Sequence, residues 1–179
     1  DVDYGTINPS GEVSTVNITV PSGTAPCSGG TPYDCDLPPV GDAAGQGGQM
    51  LSMTVILNGY LYNLGGCTSF DCTGVSGNVS YVAIDSNGRL AAPATCGGTS
   101  YGAWCVDSTN RINGTTGIAA AGVATFDNRI YVIGGLTGAA ISPNIYYNSV
   151  NPNGSLAGAW SSVDMTTAGI TTDVAYTYA

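Results

Sequence analysis

Apolar and polar positions fall in short alternating runs along this chain, and each run is broken by a pair of turn-forming residues. The segment Met53-Thr-Val-Ile-Leu-Asn-Gly-Tyr-Leu-Tyr-Asn-Leu-Gly-Gly66 reads as an apolar strand, a two-residue turn at Asn58-Gly59, a second strand carrying tyrosine, and a Gly-Gly pair. Gly122-Val-Ala-Thr-Phe-Asp-Asn-Arg-Ile-Tyr-Val-Ile-Gly-Gly135 reads the same way around Asp127-Asn128. Asn-Gly and Asp-Asn tolerate the positive φ of a type I′ turn, so both segments predict tight antiparallel hairpins.

A second element follows each hairpin. Tyr81-Val-Ala-Ile-Asp-Ser-Asn-Gly-Arg-Leu90 matches Tyr147-Asn-Ser-Val-Asn-Pro-Asn-Gly-Ser-Leu156, and a third copy stands at Tyr4-Gly-Thr-Ile-Asn-Pro-Ser-Gly-Glu-Val13. Each predicts a strand, a turn closed by glycine, and another strand. Gly102-Ala-Trp104 and Gly158-Ala-Trp160 mark the closing strand. The repeat is therefore four strands, a to d, with 66 residues from Tyr81 to Tyr147 and 77 from Tyr4 to Tyr81. Self-similarity at a long period signals stacked units that bury their faces against one another.

An a–b hairpin, Gly-Gly, then a c–d hairpin with a late tryptophan resembles the kelch repeat of β-propellers. The resemblance covers most of the chain and is sharpest over Asn128-Arg-Ile-Tyr-Val-Ile-Gly-Gly135 with Asn151-Pro-Asn-Gly-Ser-Leu-Ala-Gly-Ala-Trp160. It implies an all-β fold: a partial kelch-like propeller of four-stranded antiparallel blades, incomplete at both ends. The competing architecture is a generic antiparallel sandwich with chance Gly-Gly pairs, which three copies of the c–d element disfavour. On the propeller reading, residues 1–20 supply strands c and d of a split blade and 21–47 form a long disulfide loop. Residues 48–107 and 117–163 are blades. Residues 169–179, aligned with 117–127, are the first strand of a further blade. A propeller closes with about four blades or more. The expectation is thus a stretch of a longer propeller, or a homo-oligomer in which neighbouring copies complete the open blades by strand addition.

Composition narrows the partners. The 179 residues include 27 Gly and are 43% hydrophobic, enough apolar surface for a core. Three Arg, no Lys and no His stand against eleven Asp and one Glu, for a net charge of −9. So few cations argue against nucleic acid and against an anionic membrane surface. No stretch approaches the roughly 20 apolar residues of a membrane span. The six cysteines form close pairs, Cys27 with Cys35, Cys67 with Cys72 and Cys96 with Cys105, and there is no histidine anywhere. Their spacings are too loose for zinc knuckles, and an even count in such a chain reads as disulfides of an oxidising compartment. Sequons at Asn17, Asn78, Asn113 and Asn153 are glycosylation candidates and point to the same extracellular or cell-surface address.

Propeller topology puts the short a–b and c–d turns on one face. The long connections, residues 21–47, 67–77, 108–116 and 136–143, lie on the other. Loops of this length on a rigid scaffold are where binding concentrates. Tyr33, Asp34 and Asp36 lie in the loop pinned by Cys27 and Cys35, and Phe70 and Asp71 in the loop between Cys67 and Cys72. The interval from Leu90 to Trp104 is ten residues longer than that from Leu156 to Trp160, so the pairing of Cys96 with Cys105 pins an insertion beside Tyr101. Aromatic rings next to carboxylates suit sugar rings and hydroxyls, so these six residues are the candidate binding set for a glycan or a protein ligand. The plainer alternative has the aromatics packing beneath the loops, with the disulfides only stabilising them. Asp34, Asp36, Asp42 and Asp71 are the carboxylates that could take Ca²⁺, although no EF-hand spacing is present; otherwise no cofactor or metal is implied. Without histidine no Ser-His-Asp or Cys-His mechanism can be built within the chain, and the expected role is recognition rather than catalysis. The other role consistent with the sequence is a structural subunit of an extracellular filament or surface layer.

Overall fold

Two hairpins organise the molecule. A computed structural model describes residues 50–68, 71–138 and 140–169. Asn58 and Gly59 have φ of 53° and 78°, and Asp127 and Asn128 have 48° and 58°. Positive φ at both central residues is the type I′ geometry that the sequence predicts. The first turn joins β1 (Met53–Leu57) to β2 (Tyr60–Cys67), and the second joins β7 (Gly122–Phe126) to β8 (Arg129–Ile133). The two turns meet through a hydrogen bond from Asn58 Nδ2 to Asn128 Oδ1.

Each hairpin grows outward into an antiparallel sheet. In the first sheet β2 pairs with β3 (Val75–Ile84), β3 with β6 (Trp104–Asp107), and β6 with β5 (Thr99–Tyr101); the short β4 (Leu90–Ala91) also pairs with β3. In the second sheet β8 pairs with β9 (Asn144–Ser149) and β9 with β10 (Ser161–Asp164), which runs into a 3-10 turn, Met165–Ala168. The described residues are all-β and form two antiparallel sheets that do not close on themselves, consistent with a partial kelch-like propeller. Four-stranded blades are what the repeat predicts, and the second sheet has four. The first has an additional outer strand, β5, built by the residues inserted between β4 and β6.

The c–d turns also repeat in detail. Asp85 N donates to Arg89 O at 2.8 Å and Gly88 N to Asp85 O at 3.0 Å; Asn151 N donates to Ser155 O at 2.8 Å and Gly154 N to Asn151 O at 2.9 Å. Backbone N–H groups, Arg89 first, hold the Asp85 carboxyl below its ordinary range.

The main core lies between the sheets. Tyr62, Leu64, Val79 and Tyr81 of the first sheet meet Ile118, Ile130, Val132, Tyr146, Val150 and Leu156 of the second unit. A smaller core on the far face of the first sheet holds Trp104, Val82, Leu90 and Ala103. Both faces of β3 are therefore covered, and Ser76, Asn78 and Ser80 are buried with Asn63 on the face opposite Tyr62. Close approach of backbone to backbone fixes the blade spacing. Gly66 N donates to Ile118 O at 2.9 Å, and a Cβ added at Gly65, whose φ is +56°, would lie 2.2 Å from that same oxygen. No side chain but hydrogen fits there.

Tyr60, Tyr62 and Tyr81 form one aromatic cluster, with ring centroids 5.9 to 6.4 Å apart. Burial pushes the Tyr62 and Tyr81 hydroxyls above their ordinary value. An unfolded chain ionises both near pH 10, whereas the folded chain keeps both protons to higher pH. The unfolded state then binds fewer protons, so stability falls as pH rises past about 10. Thermal melts from neutral to alkaline pH should give a constant midpoint between about pH 7 and 9 and a decline above 10, and Tyr62→Phe should flatten that decline. A midpoint indifferent to alkaline pH would contradict this.

Candidate functional site

The connection from β6 to β7 is held rigid by a buried carboxylate. Asp107 is 3% exposed. Its Oδ1 accepts from Thr109 N at 2.9 Å and Asn110 N at 2.8 Å, and its Oδ2 accepts from Asn110 Nδ2 at 2.8 Å. Arg111 Nε donates to Ser108 O at 2.8 Å, which fixes the near end of that side chain. Ile112, fully buried, plugs the loop into the core while its N–H donates to Gly77 O at 2.8 Å. Asn113 takes a φ of 56° and donates its Nδ2 to Gly117 O at 3.2 Å. Nearly every turn of this loop is thus specified by its own side chains.

Against this loop stands the second sheet. Trp160, just before β10, donates its indole N–H to Asn110 O at 3.0 Å. Tyr146 on β9 shares a hydrogen bond with Ser142 Oγ at 3.0 Å and accepts from Asn144 Nδ2 at 3.3 Å. Between loop and sheet opens a cleft of about 260 Å³, lined by Thr109, Asn110, Arg111, Asn113 and Gly114 on one side. Tyr146, Ala159, Trp160 and Ser162 line the other. It combines indole and phenol surface with amide, hydroxyl and guanidinium groups, in a mouth formed only where two blades meet. Clefts with an apolar floor and few polar groups are the usual form of a ligand site.

The sequence-based candidates fare unevenly. Tyr33, Asp34, Asp36, Phe70 and Asn17 lie outside the described residues. Asp71 is exposed, but its Oδ1 accepts from Thr73 N at 3.2 Å and Thr73 Oγ1 at 2.9 Å, closing its own loop. Tyr101 is 45% exposed on β5 opposite Trp104. Cys67 pairs with Val75, and Val79 pairs with Asp107. Asp71 therefore stands by the long connections, while Tyr101 stands at the opposite end of the sheet. The two are not brought together. Asn113 and Asn153 are both half-buried, on loop and turn. Asn78 is a correction: it is 7% exposed inside β3, and a glycan cannot be carried there by the folded chain. Among the described residues no group of three or more Asp, Glu, Cys or His could hold a metal together.

Cys67 and Cys72 are disulfide-bonded with Cα atoms 4.9 Å apart, and Cys96 and Cys105 with 5.4 Å. Both are the sequential pairings that the spacing predicts. The remaining expected bond is not among them: Cys27 and Cys35 both lie outside the described residues. Disulfides persist in oxidising surroundings. No helix among the described residues is long and apolar enough to cross a membrane.

The described residues form a repeat β-protein in which one antiparallel sheet packs on the next. A family model for the kelch motif matches residues 118–150, the stretch from the inter-blade segment through β9. The chain thus carries a kelch-like repeat, and the motif suggests a protein-interaction module, a class generally built as non-enzymatic scaffold. No curated protein matches the chain.

Arg111, Tyr146 and Ser162 were not distinguished by sequence reasoning. The 108–116 connection was legible as a long loop, and Trp160 as a repeat marker. Only the packing of one blade on the next shows that they face each other.

Proposed function

We propose that this chain is an extracellular recognition module that holds a glycan or a protein ligand at its long-connection face, without catalysing a reaction. One observation carries the reading: the preorganised cleft between the 108–114 loop and the Trp160 edge of the second sheet. Its size suits one sugar ring or one protruding side chain. Half-buried Trp160 offers the apolar surface on which a ring can stack. Thr109, Asn110, Asn113 and Ser162 offer hydrogen-bonding groups, and Arg111 is a fixed cation in an otherwise acidic molecule. A loop already ordered before binding costs little entropy on contact.

Ser162 is exposed on the cleft wall, so Ser162→Trp fills the cleft without entering the core. Wild-type protein and Ser162→Trp are to be compared on an array of glycans and an array of purified extracellular proteins. The expected result is binding to a discrete set of members by the wild type, weakened at least about tenfold by Ser162→Trp. Binding unchanged by the substitution, or none on either array, would overturn the reading.

A second role, a structural subunit assembled from copies of this chain, is favoured by a separate observation on the second sheet, developed next.

A further inference from the structure

The second sheet carries on its outward face a copy of the surface that the first sheet buries. Tyr62 and Tyr81 are cross-strand partners whose rings stack at 5.9 Å and 29°. Tyr131 and Tyr147 are cross-strand partners too, at 6.1 Å and 29°. The first pair is fully buried. The second is half-buried, and Phe126 on the same face is 75% exposed.

The contacts of the first pair show what such a face receives. Gly154 lies on the Tyr60 ring so closely that a Cβ would come 2.5 Å from a ring carbon. Its carbonyl accepts from the Tyr62 hydroxyl at 2.8 Å. The cover is an Asn-Pro-x-Gly turn, and that sequence occurs once more, at Asn8-Pro9-Ser10-Gly11. Two differences between the copies are complementary. At the position of Tyr60 the second sheet has Arg129, which is exposed. Ser155, which follows the docked glycine, is replaced in the other turn by Glu12, the only glutamate of the chain.

We propose that the outward face of the second sheet docks a second copy of this chain, whose segment Asn8-Pro9-Ser10-Gly11-Glu12 takes the place that residues 151–155 take on the first sheet. Docking brings the Gly11 carbonyl to the Tyr131 hydroxyl, which has no hydrogen-bond partner among the described residues, and the Glu12 carboxylate to Arg129. In repeat order the segment precedes the first sheet, whereas the face it fits belongs to the second. The contact therefore runs head to tail between copies, a heterologous interface that generates a ring or a filament. The inference is independent of the cleft and would survive the loss of the recognition reading.

Sedimentation velocity over a concentration series tests it on the full chain, for the wild type, Arg129→Glu, Glu12→Arg and the double variant. The wild type should self-associate. Each single reversal should weaken association about tenfold, and the double should recover to within about threefold of the wild type. Because Arg129 is exposed, an unchanged melting curve separates lost docking from lost fold. Tyr131→Phe, which removes only a hydroxyl, should weaken association about fivefold. A monomer at every concentration would overturn the proposal. So would single reversals that associate like the wild type, or a double variant no better than the singles.

Discussion

Trp104→Ala should lower the stability of the chain by about 3–5 kcal/mol, the usual cost of removing a buried indole. Trp104 is 1% exposed and packs with Val82, Leu90 and Ala103, with Leu61 and Ile84 at the margin. That cluster lies on the face of the first sheet opposite the main core. Losing it leaves a cavity that β3 and β6, hydrogen-bonded on both sides, are too constrained to collapse. A domain of ordinary stability has about 5–15 kcal/mol in total, so the variant should be marginal at room temperature. Trp160 occupies the matching place in the second unit but is only half-buried, at the cleft. Its truncation should cost about 1–2 kcal/mol, mostly the indole hydrogen bond to Asn110. Urea unfolding of both variants checks the contrast. Equal losses would show that the two tryptophans do the same work.

Gly65→Ala should cost about 3–4 kcal/mol and lower the melting temperature by roughly 10 °C. The new Cβ would lie 2.2 Å from Ile118 O, a backbone atom fixed by its hydrogen bond from Gly66. The φ of +56° adds strain of about 1–2 kcal/mol for any residue with a Cβ. Relief would require the 117–121 segment to move off the first sheet, opening the joint between blades. Gly59→Ala is the control. Gly59 has a φ of +78° but nothing within 4 Å of the added Cβ, so it should lose only about 1 kcal/mol. Circular-dichroism melts of the two variants separate backbone strain from the blade contact. If they melt alike, the close approach at Gly65 does not hold the sheets together.

Much of this architecture was legible because its signals are local. Asn58-Gly59 and Asp127-Asn128 demand a turn with positive φ, whatever surrounds them. The repetition of Asp85-Ser-Asn-Gly88 as Asn151-Pro-Asn-Gly154 was visible in the sequence and recurs as one hydrogen-bond pattern. The pairing of Cys96 with Cys105 across the inserted residues was legible from spacing alone. What the insertion becomes was not. Thr99, Ser100 and Tyr101 are all exposed, so no alternation marks them as a strand, and β5 exists by pairing with β6. Asn78 misled for the opposite reason. Its sequon reads as a surface site, yet a sheet covered on both faces buries it. The cleft was out of reach because Arg111 and Trp160 are joined only by the packing of consecutive blades. No local pattern encodes that contact.

The recognition reading stands or falls on whether that cleft holds the ligand. The most direct measurement is the dissociation constant of the ligand chosen from the arrays, for the wild type and for Ser162→Trp, beside their melting temperatures. An increase of about tenfold or more, with melting within a few degrees of the wild type, is the predicted result. Equal affinity in two equally stable proteins would contradict it and place recognition elsewhere on the molecule.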